Sequence, residues 1–330
     1  MAVLQMKKAQ RSAAFLKLGV SGASGSGKTL GGLLLGYGLM KELYPQLPEA
    51  ELWAKIAIID TENGSGELYV GKEIKGTVIG EYNAITLTAP FEADKYTQAL
   101  EMCVANAIEV AIIDSTTHLW SGQGGLLEQQ GNAAKRSGNS YTAWREVTPQ
   151  HNRFIDTMLQ SPLHVIATMR AKQEYVQEKN EQGKTVVRKV GLEPEQRKGM
   201  EFEFTTFLEV NAEHEAFGAK DRTSLVDQKT FVITPKTGME FMKWLKGGVT
   251  TEAKVIASSH VANPAEGLKT LKADVIARCK ELGGSVNEEL MTELKKYTPN
   301  GNPNSIADEA KLTELYAKLN EMKLPAPAGE

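Results

Sequence analysis

Cysteine is nearly absent, with only Cys103 and Cys279 in 330 residues. Two thiols cannot build a disulfide framework, and both fall in helix-like patterns, so they read as buried core thiols in a reducing cytoplasm. Long apolar runs are absent too. The longest fall far short of the ~20 residues a membrane span needs, and the opening MAVLQMKKAQRSAAF lacks the continuous apolar core of a signal peptide. A membrane is therefore not an expected partner. Positive charge is not in excess either: 38 Lys and Arg against 41 Asp and Glu leave a formal net charge of −3. That excludes a global basic coat for nucleic acid and confines any phosphate contact to local patches. No internal repeat, metal-ligand cluster or Ser/His/Asp set stands out, and the five histidines lie in unrelated contexts. What the chain does have is 41% hydrophobic residues, enough for a full core, and a length that suggests about two domains.

LKLGVSGASGSGKTLGGLLLGYGLM reads as a strand (Leu16 to Val20), a glycine-rich turn and a helix. Gly22, Ala23, Ser24, Gly25, Ser26, Gly27, Lys28 and Thr29 fit G-x-x-x-x-G-K-[ST] at every position. Glycines let the backbone wrap so that successive N–H groups face phosphate oxygens, and a helix starting near Lys28 adds its positive dipole end. Lys28 would reach the β- and γ-phosphates and the Thr29 hydroxyl would ligate Mg²⁺. The expected ligand is a nucleoside triphosphate.

Two further apolar strands end in acid. Val110 to Ile113 run into Asp114, whose carboxylate, on a strand lying beside the phosphate loop, would reach Mg²⁺ through water. Additional-strand ATPases place a glutamate directly after that aspartate; here the residue is Ser115. Ile56 to Ile59 run into Asp60, Thr61 and Glu62. Strand carboxyl ends of open α/β sheets gather at one rim, so Glu62 is the group expected to position the attacking water, the alternatives being a solvated turn carboxylate or a ribose ligand. Asp60 is expected to cap the turn. A third strand, His164 to Ala167, ends at Thr168, placed either to sense the γ-phosphate or simply to end a strand. Before it, Tyr141 to Gln160 carry an apolar helical face interrupted by Pro149.

GASGSGKT, IIDTE, VAIIDS and VIATMR stand in the order and spacing of the RecA-type recombinase ATPase core, which this chain resembles over roughly residues 14 to 245. GLEPEQRKGMEFEFTTFLEV is also similar to a segment of small phage-encoded RecA-like ATPases that act with single-strand annealing proteins. The resemblance implies an α/β P-loop core, a mostly parallel twisted sheet flanked by helices, with ATP and Mg²⁺ as cofactors. It implies catalytic roles for Glu62, Lys28, Asp114 and Thr168, single-stranded DNA as partner and a cytoplasmic phage protein in a bacterial host. Two departures are visible: Thr168-Met169 replace the Asn-Gln of the recombinases, and only about a dozen residues precede the first strand, with no N-terminal oligomerisation domain. Assembly into a homo-oligomer would then use the core or the C-terminal part.

Two loops are expected at the same rim. Ser121 to Tyr141 is rich in Gly, Asn and Gln, with Lys135 and Arg136 as its basic pair. Arg170 to Lys198 reads as a hairpin with residues 180–183 at its tip, carrying eight basic residues, among them Lys184, Arg188 and Lys189, against five acidic ones. The resemblance implies that these loops face single-stranded DNA, with Tyr141 and Tyr175 as stacking platforms; a solvated charged hairpin is the alternative. Lys172, Arg188, Lys189, Arg197 and Lys198 are also placed to act in trans on a neighbour's phosphates, with Arg197 and Lys198 preferred. FTTFLEVN and KTFVITPKT extend the sheet, and MEFMKWL closes the core near Leu245.

The expected domains are residues 1–247 for the core, 248–266 for a linker and 267–330 for a small helical module. The module comprises three short helices, with Leu268, Leu271, Val275, Cys279 and Leu282 on one face of the first. Ser285 with Glu288 and Ser305 with Asp308 are the expected starts of the others. With ten basic and twelve acidic residues from 251 onward, the module is no DNA grip; contact with an annealing or DNA-binding protein is expected of it, structural docking on the core being the alternative. The leading expectation is a DNA-stimulated recombination ATPase; the alternatives are an ATP-dependent assembly factor without DNA and a small-molecule kinase.

Overall fold

The computed structural model describes residues 14–179, 185–247 and most of 272–322. The chain divides into two units, residues 1–256 and 257–330. In the first, elements alternate as a wound α/β fold requires. Strands are β1 (Lys17–Gly22), β2 (Ile56–Asp60), β3 (Glu73–Ile74), β4 (Thr77–Val78), β5 (Asn83–Thr86), β6 (Val110–Asp114), β7 (His164–Lys179), β8 (Thr185–Pro194), β9 (Thr206–Val210), β10 (Glu215–Asp221) and β11 (Thr230–Val232). Helices are α1 (Lys28–Leu43), α2 (Glu49–Ala54), α3 (Ala93–Ala105), α4 (Thr117–Ser121), α5 (Leu126–Ser137), α6 (Ser140–Gln160), α7 (Met200–Glu203) and α8 (Pro235–Lys246).

The main sheet runs β11-β10-β9-β1-β7-β6-β2-β5, parallel from β9 to β5 and antiparallel at the β10 and β11 edge. Its central strands are apolar on both faces, as a sheet covered by helices on each side demands. Leu18, Val20, Ile58, Ile112 and Ile166 pack with α1, α2 and α8. The alternate residues Ile59, Ile113, Val165 and Ala167 pack with α3, α4 and α6. Cys103 is buried in the second layer.

The α1–α8 contact is close enough to exclude side chains. A Cβ at Gly38 would lie 2.0 Å from the Pro235 carbonyl oxygen, and one at Gly238 would lie 2.2 Å from that of Leu35. Gly38→Val is therefore expected to destabilise the fold by about 1–3 kcal/mol through overpacking, read as a lower melting temperature. An unchanged melt would mean that α8 is not held at this distance.

The topology corrects one expectation. The Asp114 strand does not lie beside the phosphate-loop strand: β7 is inserted between β1 and β6. A strand's immediate neighbours depend on long-range pairing, which apolar runs do not encode. Residues 121–141, expected as loop, hold helix α5, which buries only Leu126 and Ala133; so narrow an apolar stripe gives weak periodicity. The β7–β8 ribbon confirms the hairpin through Lys179 paired with Thr185, while its tip, with Lys184, lies outside the described residues.

In the second unit, helices Glu288–Tyr297 and Glu309–Glu321 share a core of Val275, Cys279, Leu282, Leu290, Leu294, Leu312, Leu315 and Leu319. Their starts differ from expectation. Asn287 Oδ1 accepts from Leu290 N at 3.1 Å and Asp308 Oδ1 from Lys311 N at 3.3 Å, so each cap sits next to the first helical residue; Ser305 ends a short 3₁₀ turn before the second helix, and Ser285 lies outside the described residues. Leu268, Leu271 and the expected linker lie outside the described residues.

Candidate active site

β1 delivers the chain to a tight turn, residues 23–27, that opens α1. Gly25 and Gly27 have φ of 80° and 90°, a region open to glycine at no steric cost. A Cβ at Gly22 would lie 2.5 Å from both Ser26 Oγ and the Val210 carbonyl oxygen. Lys28 turns back over the loop, its Nζ donating to the carbonyls of Gly22 at 3.0 Å and Ala23 at 2.8 Å. Ser26 Oγ is buried with no partner. An orphan hydroxyl, an ammonium held only by neutral carbonyls and a helix N-terminus form a receptor for phosphate oxygens, so the residues present fit a nucleotide.

Register brings the acidic strand ends to this turn. Asp60 lies opposite Asp114 across the β2–β6 pair, and β1 places Val20 opposite Thr168 and Gly22 opposite Arg170. Asp114 is 2% exposed. Its Oδ2 accepts from Thr29 Oγ1 and its Oδ1 from Thr168 Oγ1, both at 2.6 Å. Burial raises the Asp114 carboxyl above its usual range, and Glu62 adds to that; the two hydroxyls and Lys28 oppose it. Burial likewise lowers Lys28, against the pull of Asp114 and Glu62. Thr29 and Asp114 thus sit together as hard oxygen donors of the kind Mg²⁺ takes, while Thr168 orients Asp114. The Asp114–Ser115 peptide is cis.

Glu62 is brought to the same centre. Asp60 caps its turn, with Oδ1 accepting from Glu62 N at 2.8 Å and Oδ2 from Gly64 N. Thr61 stitches β2 to β6: its N donates to Asp114 O at 2.7 Å and its hydroxyl accepts from Ser115 N at 2.8 Å. His118 Nδ1 meets the same hydroxyl at 2.8 Å, and the His118 ring stacks on Phe91. Glu62 Oε1 accepts from Ser115 Oγ at 3.0 Å and Arg170 Nε at 3.1 Å, and Oε2 accepts from Arg170 Nη2. Burial alone would raise the Glu62 carboxyl, but the Arg170 guanidinium and the Ser115 hydroxyl hold it below the usual carboxylate range.

Sequence reasoning missed three of these groups. From the sequence Arg170 reads only as a cation of the hairpin, Ser115 only as the residue standing where additional-strand ATPases place a glutamate, and His118 carries no signal of its own. Gln196 was missed as well: buried, it donates from Nε2 to Thr116 O at 3.0 Å and accepts from Arg197 N at 2.8 Å.

The expected partner-facing cations fall in several places. Arg136 pairs with Glu146 at 2.9 Å and Lys172 with Glu193 at 3.4 Å. Lys135 ends α5. The side chains of Tyr175, Arg188 and Lys189 lie outside the described residues. Arg197 and Lys198 line a cavity of about 670 Å³ together with Trp120, Tyr141, Trp144, Arg145, Thr148 and Pro149. Trp120 and Trp144 stack there at 5.8 Å, Arg197 lies 5.8 Å over the Trp144 ring, and Tyr141 is 81% exposed. No carboxylate lines this groove among the described residues.

A phosphate-binding turn between β1 and α1, an acidic strand end two strands away and an extra strand between them define a P-loop nucleotide-binding protein of the additional-strand class. More particularly, residues 14–254 match the family model of an AAA domain, and the chain belongs to that family, among ATP-binding P-loop ATPases. No curated protein matches the chain. Among the described residues no helix is long and apolar enough to cross a membrane, and no cluster of His, Cys, Asp and Glu suits a metal.

Proposed function

We propose that the protein is a Mg²⁺-dependent ATPase coupled to single-stranded DNA, serving recombination or annealing. The observation that carries the hydrolytic part is the meeting of Thr29, Asp114 and Glu62 around the phosphate turn. Lys28 would bind the β- and γ-phosphates, Thr29 and, through water, Asp114 would hold Mg²⁺, and Glu62 would orient the attacking water. The ion when bound neutralises charge on phosphate oxygens. Thr168 keeps the Asp114 carboxylate in place from within the sheet.

What supports a nucleic-acid partner is the groove. Single-strand grips combine cations along a channel with aromatic faces, each stacked base contributing about 1–3 kcal/mol. Trp144 and Tyr141 supply faces, and Arg145, Arg197 and Lys198 supply charge, with Glu193 at 4.0 Å from Lys198. Lys135, Arg136, Lys184, Arg188 and Lys189 remain additional contacts in this proposal. Assembly of copies belongs to it too, with Arg197 or Lys198 reaching a neighbour's phosphates. Glu193 of the same chain pairs with Lys172 at 3.4 Å and reaches Lys198 at 4.0 Å, which leaves Arg197 as the preferred choice for that role. The C-terminal unit is proposed to carry the contact with an annealing protein.

The deciding experiment is ATP turnover with and without a dT oligonucleotide at low salt, alongside a mass measurement of the assembly. Stimulation supports the reading; turnover indifferent to the oligonucleotide removes the DNA part. Trp144→Ala is expected to weaken oligonucleotide binding roughly tenfold or more, on the scale of one lost stack, measured by fluorescence anisotropy. Affinity equal to that of the unsubstituted protein would move the site elsewhere.

A further inference from the structure

The turn between β9 and β10, residues 211–214, meets the phosphate turn on the side of β1 away from β7. Asn211 closes it. Its N donates to Glu215 O at 3.0 Å, its Oδ1 accepts from Glu215 N at 2.8 Å, and its carbonyl accepts from His214 N at 3.2 Å. His214 takes the left-handed backbone at φ 64°, a conformation that costs a residue carrying a Cβ. From there its exposed ring reaches the phosphate turn: Nδ1 donates to Ser26 O at 3.0 Å. Gly27 leaves room for the ring, since a Cβ there would lie 3.3 Å from Nδ1. The neighbouring carbonyls accept from within the turn and α1, those of Gly22 and Ala23 from Lys28 Nζ, that of Ala23 also from Ser26 N, and that of Gly27 from Gly31 N. Ser26 O is held from a segment 188 positions away.

From this geometry we infer that His214 is a positioning residue that braces the phosphate turn from outside and aims the Gly27 N–H at a phosphate oxygen. The Ser26–Gly27 peptide is trans and planar, so its C=O and N–H point in opposite directions. With the carbonyl held toward the imidazole, the N–H faces the hollow of the turn, where no protein acceptor meets it among the described residues. A hydrogen bond onto a peptide carbonyl also polarises that peptide and strengthens its N–H as a donor. The role requires a proton on Nδ1, because a carbonyl oxygen only accepts. A left-handed histidine at this place is then no accident of the turn: the backbone conformation delivers the ring to Ser26. The inference rests on the reading of residues 22–29 as the nucleotide site and adds a residue outside them that shapes it.

The test uses the full chain with His214→Gly and His214→Asn. Glycine and asparagine both accept the left-handed backbone, but of the two only asparagine carries a donor one bond beyond Cγ, where Nδ1 stands. The pair therefore separates the hydrogen bond from the shape of the turn. His214→Gly is expected to raise Kd for ADP about three- to tenfold, the scale of one hydrogen bond, measured by titration calorimetry, and His214→Asn to restore most of the affinity. A second readout needs no nucleotide: ¹⁵N NMR of the imidazole, with the His214 signals identified by their loss in His214→Asn, should show a proton on Nδ1. Glycine and asparagine variants that bind ADP equally overturn the brace, as does a ring protonated on Nε2 alone. Should His214→Gly fail to fold, His214→Ala carries the same expectation. ADP affinity that Lys28→Ala leaves unchanged would instead sink the nucleotide reading of the turn, an outcome the ring NMR separates from failure of the brace.

Discussion

Lys28→Ala is expected to lower ATP turnover by about 10²–10³-fold, the scale of removing one charged or hydrogen-bonding donor from a developing oxyanion, and to abolish the thermal stabilisation that ATP confers. The ammonium is buried, and among the described residues its hydrogen bonds go to the carbonyls of Gly22 and Ala23. Both lie at the near edge of the turn, so the group needs only a small swing to reach a phosphate. Burial lowers its proton affinity, yet Asp114 and Glu62 pull the other way, which favours a charged lysine next to a polyanion. Alanine removes that charge and leaves the turn's backbone, whose shape is set by Gly25, Gly27 and the close approach of Gly22 to Val210. The fold should therefore survive while ligand linkage is lost. Ligand that binds only the native state raises stability in proportion to the logarithm of its concentration over Kd, so a melting curve with and without ATP reads the loss directly. An ATP-induced shift equal to that of the unsubstituted protein would show that the phosphates sit elsewhere.

The phosphate turn was legible because its determinants are contiguous: glycines, lysine and threonine within eight positions, set between an apolar strand and a helix. Asp60 and Asp114 were legible for a similar reason, as charges that end buried runs. Their expected convergence with Glu62 follows from one rule about strand carboxyl ends, and the register sets Asp60 opposite Asp114. What remained hidden depends on pairing between distant segments. The insertion of β7 between β1 and β6 is one example. The Arg170–Glu62 contact, which spans 108 positions, is another. A cation in a mixed-charge hairpin carries no local sign that it faces inward. Helix α5 carries little sequence signal because Gly131 and Asn132 weaken helix propensity at its centre while only one narrow edge is buried. The Trp144 groove escaped because its parts come from α4, α6 and the segment after β8, each unremarkable alone.

The second large effect concerns Glu62. Glu62→Gln is nearly isosteric, and the turn around it is held by Asp60 and Thr61 rather than by its own side chain. ATP affinity should therefore change little. Turnover should fall by about 10²–10⁴-fold, the usual worth of a positioned general base. The amide can still accept one bond from Arg170 or Ser115, but it presents an N–H₂ to the other donor and cannot take a proton from water. The pH profile supplies an independent check. Arg170 holds the carboxyl below its usual range, so Glu62 stays ionised throughout the neutral region. Any acid limb it imposes falls below the ordinary glutamate value of about 4.3. Glu62→Gln should lose that limb along with the rate. Single-turnover measurements on preloaded protein separate chemistry from binding. Slow hydrolysis with tight ATP would place Glu62 in the reaction and yield a trapped, ATP-bound form whose mass reports the assembly. Rates equal to the unsubstituted protein would instead leave a nucleotide holder, with Thr29 and Asp114 gripping a metal that no base exploits.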